Sequence, residues 1–143
     1  MTAASILKDK GGEVFTISQE ASLAEAAQLL DEKRIGAVII VGESGGPVGV
    51  FSERDLARQI ARAGAEALNV RVGECMTRDV VFCGPGDSVD GMMGMMTDRR
   101  IRHLPVVENG KLIGVISIGD VVKRKIAEAE AEARAMKDYI ATG

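Results

Sequence analysis

Two four-residue stretches carry the side chains best suited to holding a ligand, Ser52-Glu53-Arg54-Asp55 and Ser117-Ile118-Gly119-Asp120. Each closes an apolar run and opens a helical pattern, so each marks the first turn of a helix. Backbone N–H groups there have no intrahelical partner and the helix dipole is positive, which favours phosphate oxygens; Ser52 or Ser117 adds a hydroxyl, and Arg54 a full positive charge. A carboxylate in the same turn suits a different group, because Asp55 or Asp120 can accept from the 2′ and 3′ hydroxyls of a ribose at once. The same spacing is also that of an ordinary N-cap with an acidic residue placed for the dipole. For either stretch alone, capping is the simpler account.

The other reactive side chains form no catalytic set. His103, the single histidine, has no Ser, Cys or carboxylate at a recognisable spacing and lies in a strand-like run, so a ligand contact or a structural role is expected of it. Cys75 and Cys83 are too few for the disulfide framework of a secreted mini-protein and are expected to be reduced and structural. A zinc site would need both cysteines, His103 and a carboxylate without the usual close spacing, so no metal is expected. With no nucleophile beside a base and no paired catalytic carboxylates, no enzyme is expected either.

The elements that position these residues come in two copies. A slide of 66 positions sets Val14-Phe15-Thr16 on Val80-Val81-Phe82, Ser22-Leu23 on Ser88-Val89, and Lys33-Arg34-Ile35 on Arg99-Arg100-Ile101. Leu23, Ala26, Ala27 and Leu30 share the helical spacing of Val89, Met92, Met93 and Met96, one buried face in each copy, with Met95 off that face. Ser22 with Glu25 predicts a capping box, whereas Ser88 has Gly91 in that place and keeps only the cap, so the second helix is expected to be the weaker. Two apolar runs follow each helix, separated by Gly42 to Pro47 in one copy and by Glu108-Asn109-Gly110-Lys111 in the other, which predicts two hairpins. The unit is strand, helix, strand, strand, helix. It is expected over 10–62 and again over 74–125, with 63–73 as linker and a long final helix through 126–143, rich in Ala, Glu and Arg. The Glu128, Glu130 and Glu132 face of that helix is expected in solvent; its apolar edge, Ile126, Ala133, Met136 and Ile140, is the alternative, a surface for a second subunit.

Composition narrows the class. Of 143 residues, 46% are hydrophobic and 27% charged, the balance of a globular α+β protein rather than a disordered one. A net charge of −3 with no basic block beside aromatic residues argues against nucleic acid. No apolar stretch is long enough for a membrane span and the start lacks the pattern of a secretory signal, so a cytoplasmic address is expected.

From Lys10 to Lys125 the chain resembles a tandem pair of CBS domains, named after cystathionine β-synthase. The resemblance is carried by Cys75-Met76-Thr77, by Arg102-His103-Leu104-Pro105-Val106-Val107, by Leu112 to Asp120, and by their duplication. It implies a sandwich-like intramolecular pair of βαββα units related by a pseudo-two-fold axis, with two clefts between them that take AMP, ADP, ATP or related adenosyl ligands. In such pairs the ribose-binding Asp comes from one copy and the base lies against early strand segments of the other. One cleft would join Asp120 and Ser117 to Thr16, Ile17, Gly36 and Ala37. The second would join Asp55, Ser52 and Arg54 to Phe82, Cys83, Leu104 and Pro105, with Arg102 and His103 reaching phosphates. Because Ile118-Gly119 replaces Glu53-Arg54, the clefts are not equivalent. The resemblance also implies a homodimer and a regulatory role, an energy or redox-state sensor read by a protein partner. The rival reading is a ligand-free interaction module whose clefts are filled by side chains.

Overall fold

The computed structural model describes residues 1–142. It is an α+β molecule with a separate small sheet in each repeat. In the first, β1 (Thr16–Ile17) runs parallel to β2 (Ala37–Val41), and β2 pairs antiparallel with β3 (Pro47–Ser52), Val38 opposite Phe51. In the second, β4 (His103–Glu108) pairs antiparallel with β5 (Lys111–Ser117), Leu104 opposite Ile116. Asn109 and Gly110, with φ of 53° and 77°, make the tight turn between them, the left-handed pair that a two-residue hairpin needs. The strand expected at the head of the second repeat shrinks to one parallel bridge, Cys83 to Val106.

Each sheet is covered by the helix whose apolar spacing the sequence displays. Helix α2 (Leu23–Lys33) buries Leu23, Ala26 and Leu30 against Val38, Ile40 and Phe51. Helix α5 (Val89–Arg99) buries Val89, Met92 and Met96 against Leu104, Val106 and Ile116, and Met95, expected off that face, packs at the margin of the same core. Ser22 and Ser88 cap these helices by accepting from Glu25 N (3.1 Å) and Gly91 N (2.9 Å). At Ser22 only this forward half of the expected capping box forms.

The stretches ahead of the two repeats change places. Helix α1 (Ala3–Lys10), ahead of the first repeat, buries Ala3, Ile6 and Leu7 in the core of the second. The stretch expected as a linker, 63–73, is a 3₁₀ turn (Gly64–Asn69) and the start of a short helix, α4 (Val72–Cys75); it buries Ala67 and Val72 in the core of the first, where Met76, just after α4, joins them. Matching backbone bonds fix both: Ala3 N donates to Asp87 O and Val89 N to Met1 O, as Val72 N donates to Ala21 O and Leu23 N to Val70 O. The close fits match too, since a β-carbon on Gly114 would strike Leu7 and one on Gly49 would strike Met76.

Two further helices follow the hairpins, α3 (Glu53–Ala63) and α6 (Ile118–Thr142). At 25 residues α6 is about 37 Å long, and from Ala129 onward every described side chain on it is exposed. No described helix is long and apolar enough to cross a membrane.

Candidate functional site

Two clefts open where the repeats meet. The first has a volume of about 330 Å³, within the range of small-molecule sites. One side is the start of α3, with Ser52, Glu53, Arg54 and Asp55, and Arg58 one turn on. The facing side belongs to the second repeat: Asp79, Val80 and Val81, then Arg100, Ile101, Arg102 and His103. Four guanidinium groups (Arg54, Arg58, Arg100, Arg102) outnumber three carboxylates (Glu53, Asp55, Asp79), so the cleft is suited to an anion.

The second cleft, about 380 Å³, brings Ser117 and Val115 opposite Glu13, Val14, Phe15, Arg34 and Ile35, with Lys10 at its edge. Gly36, Ala37 and His103 line both clefts. Two matching backbone bonds set that shared wall: Glu53 N donates to Gly36 O (3.0 Å) and Ile118 N to Arg102 O (2.8 Å).

Several residues expected at the base-binding walls lie elsewhere. Thr16 and Ile17 line neither cleft, because β1 commits them to the sheet beside Ile39 and Ile40, and Ile17 packs on the first core. Cys83, 2% exposed, is held in the same way by its bridge to Val106, and Leu104 and Pro105 are buried in β4. Phe82 is 53% exposed and lines neither cleft. In both copies the lining residues sit just upstream, Val14-Phe15 and Val80-Val81, where the chain is extended but not yet paired in the sheet. For Ile17 and Cys83 the alternation of a strand explains the shift: a paired residue facing the core cannot also face a ligand.

The two helix starts show capping and an open carboxylate oxygen together. Asp55 Oδ2 accepts from Ser52 N (2.9 Å) and Ser52 Oγ (3.0 Å), while Asp55 N donates to Ser52 Oγ (3.3 Å). Among the described residues its other oxygen meets only Arg58, at 3.8 Å. Asp120 Oδ2 accepts from Ser117 N (2.9 Å) in the same manner, but it also accepts from Lys10 Nζ at 2.6 Å, and Asp120 does not line the second cleft. Burial works against the Asp120 charge, yet the bonds from Lys10 and Ser117 outweigh it and hold the carboxyl below its ordinary range. Burial, followed by the Lys10 ammonium, pushes the His103 imidazole below its usual value.

Arg34 and Arg100 line the clefts although the helix-start motifs do not point to them. Each ends its helix in the left-handed conformation at φ 55°, a position where glycine is usual, and each lines a cleft, Arg34 the second and Arg100 the first. The duplicated basic-Arg-Ile run after each helix held the signal.

Duplicated α+β repeats with paired interfacial clefts define a class, and the comparisons place the chain in it. The family model for the CBS domain matches residues 7–62 and again 72–127, so the chain belongs to the CBS domain family. The Arabidopsis thaliana protein named CBS domain-containing protein CBSX3, mitochondrial, is 31% identical over 99% of this chain and 73% of its own length. The crystal structure of a CBS-domain containing protein, ATU1752 from Agrobacterium tumefaciens, superposes with a TM-score of 0.84 at 42% identity, covering 87% of this chain and 99% of that one. The CBS domain pair of protein MJ0100, solved with 5-methylthioadenosine and S-adenosyl-L-methionine, superposes with a TM-score of 0.79 at 25% identity over 90% of this chain and 98% of that one.

Proposed function

We propose that this chain is a non-catalytic regulatory module that binds an adenine nucleotide between its repeats, AMP first among ADP, ATP, NAD and S-adenosylmethionine. The observation that carries the reading is the first cleft, where Ser52 and Asp55 face Val80, Val81 and Arg100 to His103 across the seam. Asp55 offers its free oxygen to ribose hydroxyls, and the arginines offer charge to phosphates. Val80, Val81 and Ile101 supply apolar surface for a flat base. A relative solved with adenosyl ligands supports the same chemistry. Binding across a seam acts as a switch when the ligand favours one arrangement of the repeats over another, and a protein partner then reads the arrangement.

Calorimetry with the five ligands tests this. A saturable heat with at least one of them, lost in Asp55→Ala, is the expected result. No heat from any of them overturns the reading and leaves the ligand-free interaction module, which the capping role of Asp55 favours.

A homodimer belongs to the same proposal. Ile126, Met136 and Ile140 form an exposed apolar stripe along α6, with Met136 66% and Ile140 73% exposed. A helix end whose described side chains are all exposed is marginal in water, and a second copy packed along the stripe would stabilise it.

A further inference from the structure

The carboxylates at the two helix starts differ in their cation contacts. In the second repeat, Lys10 Nζ donates to Asp120 Oδ2 at 2.6 Å and to the carbonyl of Val115 at 3.0 Å. In the first repeat the strand position that corresponds to Val115 is Val50, and a backbone segment serves it: Thr77 N donates to Val50 O and Val50 N to Thr77 O. Among the described residues no ammonium group reaches Asp55, whose one cation contact there is Arg58 at 3.8 Å.

The lysine arm has a fixed base. Lys10 is the last residue of α1, which is capped by reciprocal Thr2 and Ser5 bonds, pinned by Ile6 and Leu7 in the second core, and tied to α6 by the Asp9 to Arg124 ion pair. Phe15, the phenyl ring of the second cleft, carries the Lys33 ammonium 5.2 Å from its centroid, so one face of it is engaged as well. Lys10, and not Asp120, lines the second cleft, so a ribose reaching Asp120 would have to displace an ammonium held at 2.6 Å, exchanging an ion–ion bond for bonds between the carboxylate and uncharged hydroxyls, an unfavourable exchange.

We infer that Lys10 is the residue that selects between the clefts: by holding Asp120 it closes the second cleft to ribose, so that one adenine nucleotide binds per chain, in the Asp55 cleft. This rests on the proposed adenine-nucleotide function. Lys10 acts on the ligand through Asp120, as a positioning and specificity residue.

The test counts sites by calorimetry with AMP and ATP on the full chain. Wild type binds one nucleotide, Asp55→Ala none, and Asp120→Ala still one. Lys10→Met, which keeps an unbranched stem and drops the charge, binds two, the second being lost again in Lys10→Met with Asp120→Ala. Lys10→Arg keeps the cation and binds one. Two sites in wild type, or a single site in Lys10→Met with an unchanged melting temperature, overturn the selection by Lys10 while leaving the nucleotide function intact. Should Lys10→Met fail to fold, an Asp120→Ala variant that loses the wild-type site overturns it equally. Absence of binding in every variant overturns both readings.

Discussion

The His103 imidazole lies against Gly36, with its Cε1 only 3.3 Å from where a β-carbon on that glycine would stand, and the two residues line both clefts. As the only histidine, His103 can be followed by its ring resonances in NMR. Its folded pKa is depressed by burial and by Lys10, below an unfolded value of about 6.5. Below that value the unfolded chain binds more protons, so the His103 contribution is complete above it and is lost as pH falls through the folded pKa. The urea midpoint should fall between pH 7 and 5 in wild type, and His103→Gln should remove that part of the slope. A ring midpoint at or above 6.5 in the ligand-free protein would contradict it.

The exchanged leading segments make two glycines critical. A β-carbon on Gly49 collides with the Met76 side chain, and one on Gly114 with both methyl groups of Leu7. Gly49→Ala and Gly114→Ala should each cost about 1–3 kcal/mol in denaturant unfolding, the usual cost of overpacking. Gly86→Ala, where nothing lies within 4 Å, is the control and should stay within about 0.5 kcal/mol.

Arg100 trades backbone ease for an arm into the first cleft. Arg100→Gly should raise stability by about 1 kcal/mol, the typical penalty of a left-handed L-residue, and should weaken nucleotide binding about tenfold, or 1.4 kcal/mol. Unchanged affinity with raised stability would assign Arg100 to the helix stop alone.

Both thiols should be sluggish. Burial, reinforced by Asp87, raises Cys83 to about 11, and burial together with Glu74 raises Cys75. Ellman's reagent at pH 8 should label Cys75 slowly and Cys83 only after unfolding. Rapid labelling of both would mean that the second core opens readily.

On α6, Met136→Glu with Ile140→Glu should yield a monomeric mass in sedimentation, with the melting of the chain's body preserved, because both side chains are exposed. A dimer that survives the pair of charges places the interface elsewhere.

Much of this molecule could be read from its residues because a duplication repeats every signal. Leu23, Ala26 and Leu30 set the α2 face, and Val89, Met92 and Met96 confirmed the spacing in α5. Asn109-Gly110 marked a hairpin that local turn chemistry alone determines. What escaped was non-local. The burial of Ile6 and Leu7 in the far repeat follows from a chain crossing, which no local pattern encodes, and the bond from Lys10 to Asp120 spans 110 positions. The cleft-lining Val14-Phe15 and Val80-Val81 lie just upstream of the expected wall residues, because an apolar run shows where a strand lies without showing where its pairing begins.

The swapped leading segments also bind the two repeats into one folding unit. A break at Gly64, whose left-handed backbone stands in open space, would leave each piece carrying the helix that completes its neighbour's interior. Each core is therefore completed by a segment from the other piece, so the two pieces would have to pair with crossed arms to bury the same residues. Joining the copies end to end makes that pairing intramolecular, independent of protein concentration, and lets the two clefts carry different residues.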